Sequence, residues 1–75
     1  MINQYIEVDP KRCNGKPVIA GTRIPVTVIL DQLGETGSIE KLLTKYPELT
    51  KAQIKGVLEF CHSLIEHSDL ELEHA

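Results

Sequence analysis

The sequence predicts a mainly α-helical domain of three helices preceded by a short N-terminal β-arm or hairpin, and two patterns carry that prediction. Three successive segments place apolar residues at i, i+3, i+4 and i+7: Val26, Ile29, Leu30 and Leu33; Ile39, Leu42, Leu43 and Tyr46; Ile54, Val57, Leu58 and Cys61. That spacing keeps all four residues on one face of a helix. Ahead of them, the run Gly15-Lys16-Pro17-Val18-Ile19-Ala20-Gly21-Thr22-Arg23-Ile24-Pro25-Val26 sets glycines and prolines around a short apolar segment.

The arm is expected over about residues 4–24. Glycine frees φ, whereas proline fixes it at roughly −65° and removes a donor, so the alternation describes one backbone path. Val18 and Ile19 form the strand-like centre, and Ile24-Pro25-Val26 makes an extended step into the first helix. That helix is expected over about 25–34, with Gly34 as its left-handed C-terminal residue and Glu35-Thr36-Gly37 as the connection. Ser38 then caps a second helix over about 38–46, and Glu40 suits the positive end of its dipole. Pro47 stops it, because proline disfavours helical geometry at the residue before it, leaving Lys45 or Tyr46 as the last helical position.

Thr50 and Gln53 fit a capping box, and Leu49 with Ile54 fits a hydrophobic staple, so the third helix is expected over about 50–67. Its apolar stripe repeats after seven residues, 54/57/58 and then 61/64/65, widened by Phe60. Two short helices cannot cover that much apolar surface. The surplus has three candidate covers: the β-arm, a second subunit or a partner protein. Residues 68–75 read as a frayed acidic tail on which no function is placed.

A chain of 75 residues is read as one domain, here about 1–67. A domain this small buries only roughly 60% of the surface its unfolded chain exposes, so association is a common source of added stability and a homodimer or an obligate partner is expected. Cys13 and Cys61 are the only cysteines and form neither a C-x-x-C pair nor a zinc spacing, which points to reduced thiols in a cytoplasmic protein. Met1 to Tyr5 lack the basic and apolar regions of a signal peptide, and no apolar run approaches the ~18 residues that span a bilayer. The net charge of −3 hides an asymmetry. All eight Lys and Arg lie at or before Lys55, among six acids, whereas Glu59, Glu66, Asp69, Glu71 and Glu73 follow with no cation. One end can approach phosphate and the other repels it, although ordinary solvated faces explain the pattern as simply.

Tyr46-Pro47-Glu48-Leu49 links the second and third helices in about four residues, a length that suits a helix-turn-helix reading the major groove and also suits bundles that never touch DNA. At about 100° per residue, the face opposite the stripe carries Lys51, Lys55, Glu59, His62 and Glu66. For DNA binding, Lys51 and Lys55 are the phosphate-neutralising candidates, and Gln53 reaches an adenine edge if the capping box leaves it free. A solvated helix start explains both lysines without DNA. A second basic group, Lys11, Arg12, Lys16 and Arg23, stands on the arm and suits phosphate or an acidic partner. Thr22 and Arg23 suit a plainer role as well, hydrogen-bonding carbonyls of their own turn. No enzyme, cofactor or metal is expected. Neither cysteine nor Ser38, Ser63 or Ser68 has the context of a nucleophile, Gly15-Lys16-Pro17 is not a phosphate-binding loop, and His62, Glu66 and Cys61 lack a second pair of ligands.

The Asp9-Pro10 step, the G-K-P-V-I-x-G-T-R-I-P-V signature at residues 15–26, a modified G-x-S-x-E-x-L segment reaching Leu42, and Y-P-x-L-T at 46–50 together make the chain resemble the DUF433 family of small prokaryotic proteins, over roughly Ile6 to Phe60. Gly34-Glu35-Thr36-Gly37 departs from the alanine and glycine usual there. The resemblance implies a homeodomain-like or winged-helix-like helix-turn-helix domain, dimeric, with the role of an antitoxin that binds and blocks a PIN-like nuclease toxin and binds its own operator DNA. Such a nuclease holds its metal with clustered carboxylates, so an inserted arginine, here Arg23, would occupy the electrostatic place of the metal. The alternative is a protein-interaction or dimerisation module without DNA binding, which the net charge favours.

Overall fold

In the computed structural model, residues 3–11 and 13–67 are described, and the Gly/Pro run folds into the arm the sequence predicts. β1 (Ile6–Glu7) and β2 (Val18–Ile19) pair antiparallel, with Ile6 opposite Ile19 and Glu7 opposite Val18. Beyond β2 the chain turns at Gly21, whose φ of +79° is one that L-residues rarely adopt. Thr22 closes that turn. Its Oγ1 donates to Ile19 O at 2.7 Å and accepts from Ile24 N–H at 3.0 Å. Backbone bonds from Ile19 N–H to Ile24 O and from Val26 N–H to Pro17 O, both 2.9 Å, then deliver the chain into the first helix.

α1 (Val26–Thr36), α2 (Ile39–Lys45) and α3 (Lys51–Glu66) follow, giving a mainly helical fold with the two-stranded hairpin on one side. One core joins all of them: Ile6, Ile19, Val26, Ile29, Leu42, Leu49, Ile54, Val57 and Phe60. The helix starts are as the sequence predicts. Ser38 Oγ accepts from Lys41 N–H at 3.1 Å, and both halves of the Thr50/Gln53 capping box form, at 3.2 and 2.8 Å. Leu49 and Ile54 both enter the core, as a staple requires. α2 stops at Lys45, with Tyr46 N–H still bonded to Leu42 O at 2.9 Å.

One expectation is corrected. α1 does not end at Gly34 but runs to Thr36, and Gly37, at φ +77°, takes the left-handed position with its N–H on Leu33 O. Thr36 Oγ1 lies 2.8 Å from Gln32 O and 3.1 Å from Ser38 O and shares its one proton between them, which ties the last turn to the next cap. A glycine within a helix costs only about 1 kcal/mol, so Gly34 does not force a stop. A Cβ at Gly34 meets no heavy atom within 4 Å. Gly34→Ala is therefore expected to stabilise by about 0.5–1 kcal/mol, seen as a higher urea midpoint, and a lower midpoint would count against a helix continuing through residue 34.

The apolar stripe of the third helix is left partly uncovered in the single chain, as its length against two short helices implies. Ile54, Val57 and Phe60 are buried, but Leu58, Leu64 and Ile65 are 40%, 47% and 62% exposed. Leu58 lies about 100° around the helix from Val57, at the edge of the buried face. Length accounts for the other two, since α3 has 16 residues against 11 in α1 and 7 in α2 and outruns the elements it packs on. Leu30, on α1, is 40% exposed for the same kind of reason as Leu58, sitting one position past buried Ile29. Of the three candidate covers for α3, the arm takes one flank. Asn3 Nδ2 donates to Gly56 O at 2.9 Å, and the Tyr5 side chain lies where a Gly56 Cβ would stand.

Candidate interaction surfaces

The basic residues of the arm stand on a loop fixed by its own backbone. Asp9 Oδ1 accepts from Lys11 N–H at 2.9 Å. Cys13, Asn14 and Gly15 then form one tight turn, closed by Lys16 N–H on Cys13 O at 3.1 Å, with φ of +52°, +57° and +76°. Asparagine and glycine tolerate such values, and cysteine does so at a cost. Cys13 Sγ lies 3.9 Å from Arg23 O, a weak contact that sets this loop beside the Gly21 turn. Lys11, Lys16 and Arg23 are exposed and their charged groups make no ion pair among the described residues, while Arg12 lies outside the described residues. Of the two roles open to Arg23, the turn-closing one belongs to Thr22; Arg23 contributes its carbonyl and is an exposed residue.

The residues proposed for DNA contact divide differently. Gln53 Oε1 accepts from Thr50 N–H at 2.8 Å, so its carboxamide is engaged in the cap. Lys51 Nζ is 3.9 Å from Glu40 Oε2 across the α2–α3 turn, a solvent-exposed pair that contributes little. Lys55 is exposed, with no ion pair among the described residues. Further along, His62 Nε2 is 3.9 Å from Glu66 Oε2, another exposed pair. Burial raises the Cys61 thiol above its ordinary pKa, which keeps it protonated and a poor nucleophile. Among the described residues there is no pocket, no group of three or more His, Cys, Asp or Glu placed to hold a metal ion, and no helix long and apolar enough to cross a membrane.

Two features escape the sequence reading. The positive-φ turn at 13–15 had a partial signal in Asn14-Gly15, since those two residue types favour left-handed backbone. The Tyr5 and Asn3 contacts with Gly56 had a signal on one side only. A glycine inside a strong helix pattern marks a close approach without naming what approaches.

A small three-helix domain closed by a two-stranded arm is what this fold defines. The chain belongs to the family described as "Protein of unknown function (DUF433)", whose model matches residues 6–61. No curated protein and no solved structure matches the chain. The family match takes in the arm, α1 and α2, and it ends inside α3 at Cys61.

Proposed function

We propose that this chain is a non-catalytic, antitoxin-like binding protein that docks its basic arm against the acidic site of a PIN-like nuclease. The observation that carries this reading is exposed Arg23 on a turn held by Gly21, Thr22 and Cys13, with exposed Lys16 and Lys11 on the adjoining loop. A cation on a preordered backbone loses little conformational freedom on docking, and guanidinium matches carboxylates in a bidentate way. The family resemblance supplies the class of partner. Cytoplasmic, reducing surroundings suit the free thiols of Cys13 and Cys61.

The test mixes the purified chain with a PIN-like nuclease from the same genome and follows RNA cleavage. Stoichiometric inhibition is expected, and Arg23→Glu should weaken it about tenfold or more, with the far-UV circular dichroism unchanged. Absence of inhibition by the wild-type chain would overturn the reading. So would full inhibition by the variant, as regards the arm.

Operator binding is a second reading, favoured by one observation. Lys55 is exposed and, among the described residues, without an ion pair in the first half of α3, behind a short turn from α2. With Gln53 engaged in the cap, phosphate contacts dominate and base readout is slight. Binding to the DNA upstream of the gene should then appear at ~50 mM salt and fade steeply above it. If nothing binds at ~50 mM, the alternative stands, a protein-interaction module that does not touch DNA.

A further inference from the structure

The geometry points to a second copy of this chain as the cover of the outer strip of α3, with the two α3 helices antiparallel. α3 continues past the end of the family match at Cys61 as far as Glu66. That added stretch carries Ile65, 62% exposed, seven residues after Leu58, 40% exposed. Seven residues bring a helix back to within about 20°, so the two form one strip, with half-buried Cys61 along its edge. The arm meets α3 on the other side, at Gly56, roughly 160° around the helix from Leu58.

Charge selects the occupant and its direction. Lys55 and Glu66 are eleven residues apart, again within about 20° of each other, and both border the strip on the same side. A two-fold axis crossing the strip near residues 61 and 62 lays Leu58 on the Ile65 of the second copy and Lys55 against its Glu66. The surface is thus complementary to itself, and a contact of this kind closes at two copies instead of propagating. A parallel pair would carry the two lysines, and likewise the two acids, to opposite sides of the seam and leave the lysine–glutamate contact unmade. Lys51 lies at the same end of α3 as Lys55, and beyond Lys55 the helix carries Glu59 and Glu66 with no Lys or Arg, so the gradient along it favours the same direction. The His62–Glu66 pair is exposed and weak and leaves Glu66 open to a stronger partner. This pairing is independent of the nuclease reading, because the arm and the strip are separate surfaces.

Sedimentation equilibrium of the full chain between ~5 and ~500 μM at low salt tests it. A concentration-dependent dimer is expected, and Leu58→Asp and Ile65→Asp should each raise its dissociation constant about thirtyfold or more. Both side chains are exposed in one copy, so the circular dichroism spectrum should not change. Lys55→Glu and Glu66→Lys should each weaken the dimer several-fold, and the double variant should restore it. A chain that stays monomeric at ~500 μM, or a dimer unmoved by both aspartate variants, overturns the proposal. A double variant no tighter than the single ones overturns the antiparallel direction.

Discussion

Ile54→Ala is expected to remove about 2–5 kcal/mol of folding stability, whereas Leu58→Ala, four residues along the same helix, removes less than about 1 kcal/mol. Sequence periodicity treats the two as equivalent, and packing separates them. Ile54 has no exposed surface and sits in the core beside Leu49, Leu42 and Val57, so shortening it leaves a cavity that a staple and three helices would have to collapse to fill. Leu58 is 40% exposed, so its truncation exposes little new surface and leaves no enclosed void. A domain of this size has little reserve, and the larger loss approaches its whole stability. Urea unfolding followed by circular dichroism at ~2 μM protein keeps association from adding to either value. Equal losses at the two positions would mean that α3 is rotated on the core from the arrangement described.

What the sequence made legible was local. Ser38, the Thr50/Gln53 box and Pro47 act within a few residues of themselves, and each stands where the sequence places it. The Gly/Pro run likewise encodes its own path, because the bonds that close it, Thr22 to Ile19 and Val26 to Pro17, span few residues. The end of α1 was misplaced because two glycines three residues apart both suit a left-handed cap, and the choice rests on Thr36 bridging Gln32 and Ser38. The length of the stripe showed that a surplus would be left, but not that Leu58 and Ile65 are among the residues left exposed. A helical period identifies a face but says nothing of how far the neighbouring elements extend along it. At the surfaces, charge alone located Lys11, Lys16, Arg23, Lys51 and Lys55 in exposed positions. The part of Thr22 in holding the Gly21 turn, and the commitment of Gln53 to the cap, depended on hydrogen bonds only the fold could show.

Gly56→Ala is expected to destabilise the protein by about 1–2 kcal/mol, against the usual gain of about 1 kcal/mol for this exchange inside a helix. An alanine Cβ at position 56 would stand 2.5 Å from Tyr5 Cδ2 and 2.8 Å from Tyr5 Cβ and Cγ, closer than carbon atoms approach. Turning the Tyr5 ring does not relieve this, because its Cβ is one of the atoms in the way. Nor is the Tyr5 backbone free to shift: its N–H is held by Asn3 Oδ1 at 2.9 Å, its carbonyl by Ala20 N–H at 2.8 Å, and Asn3 is anchored to Gly56 O. The strain therefore lifts β1 away from α3 and draws Ile6 partly out of the core. Hydrogen exchange should locate the damage, with the Ile6 and Ala20 amides losing protection while α1 and α2 keep theirs. Tyr5→Gly removes the obstructing atoms, so Gly56→Ala should be much less costly on that background, a coupling readable from a double-mutant cycle. Gly34→Ala provides the opposite sign within the same chain, since a Cβ there meets nothing within 4 Å. If Gly56→Ala proved more stable than the wild type, Tyr5 would not be seated on α3, and the arm would have to close the core by another contact.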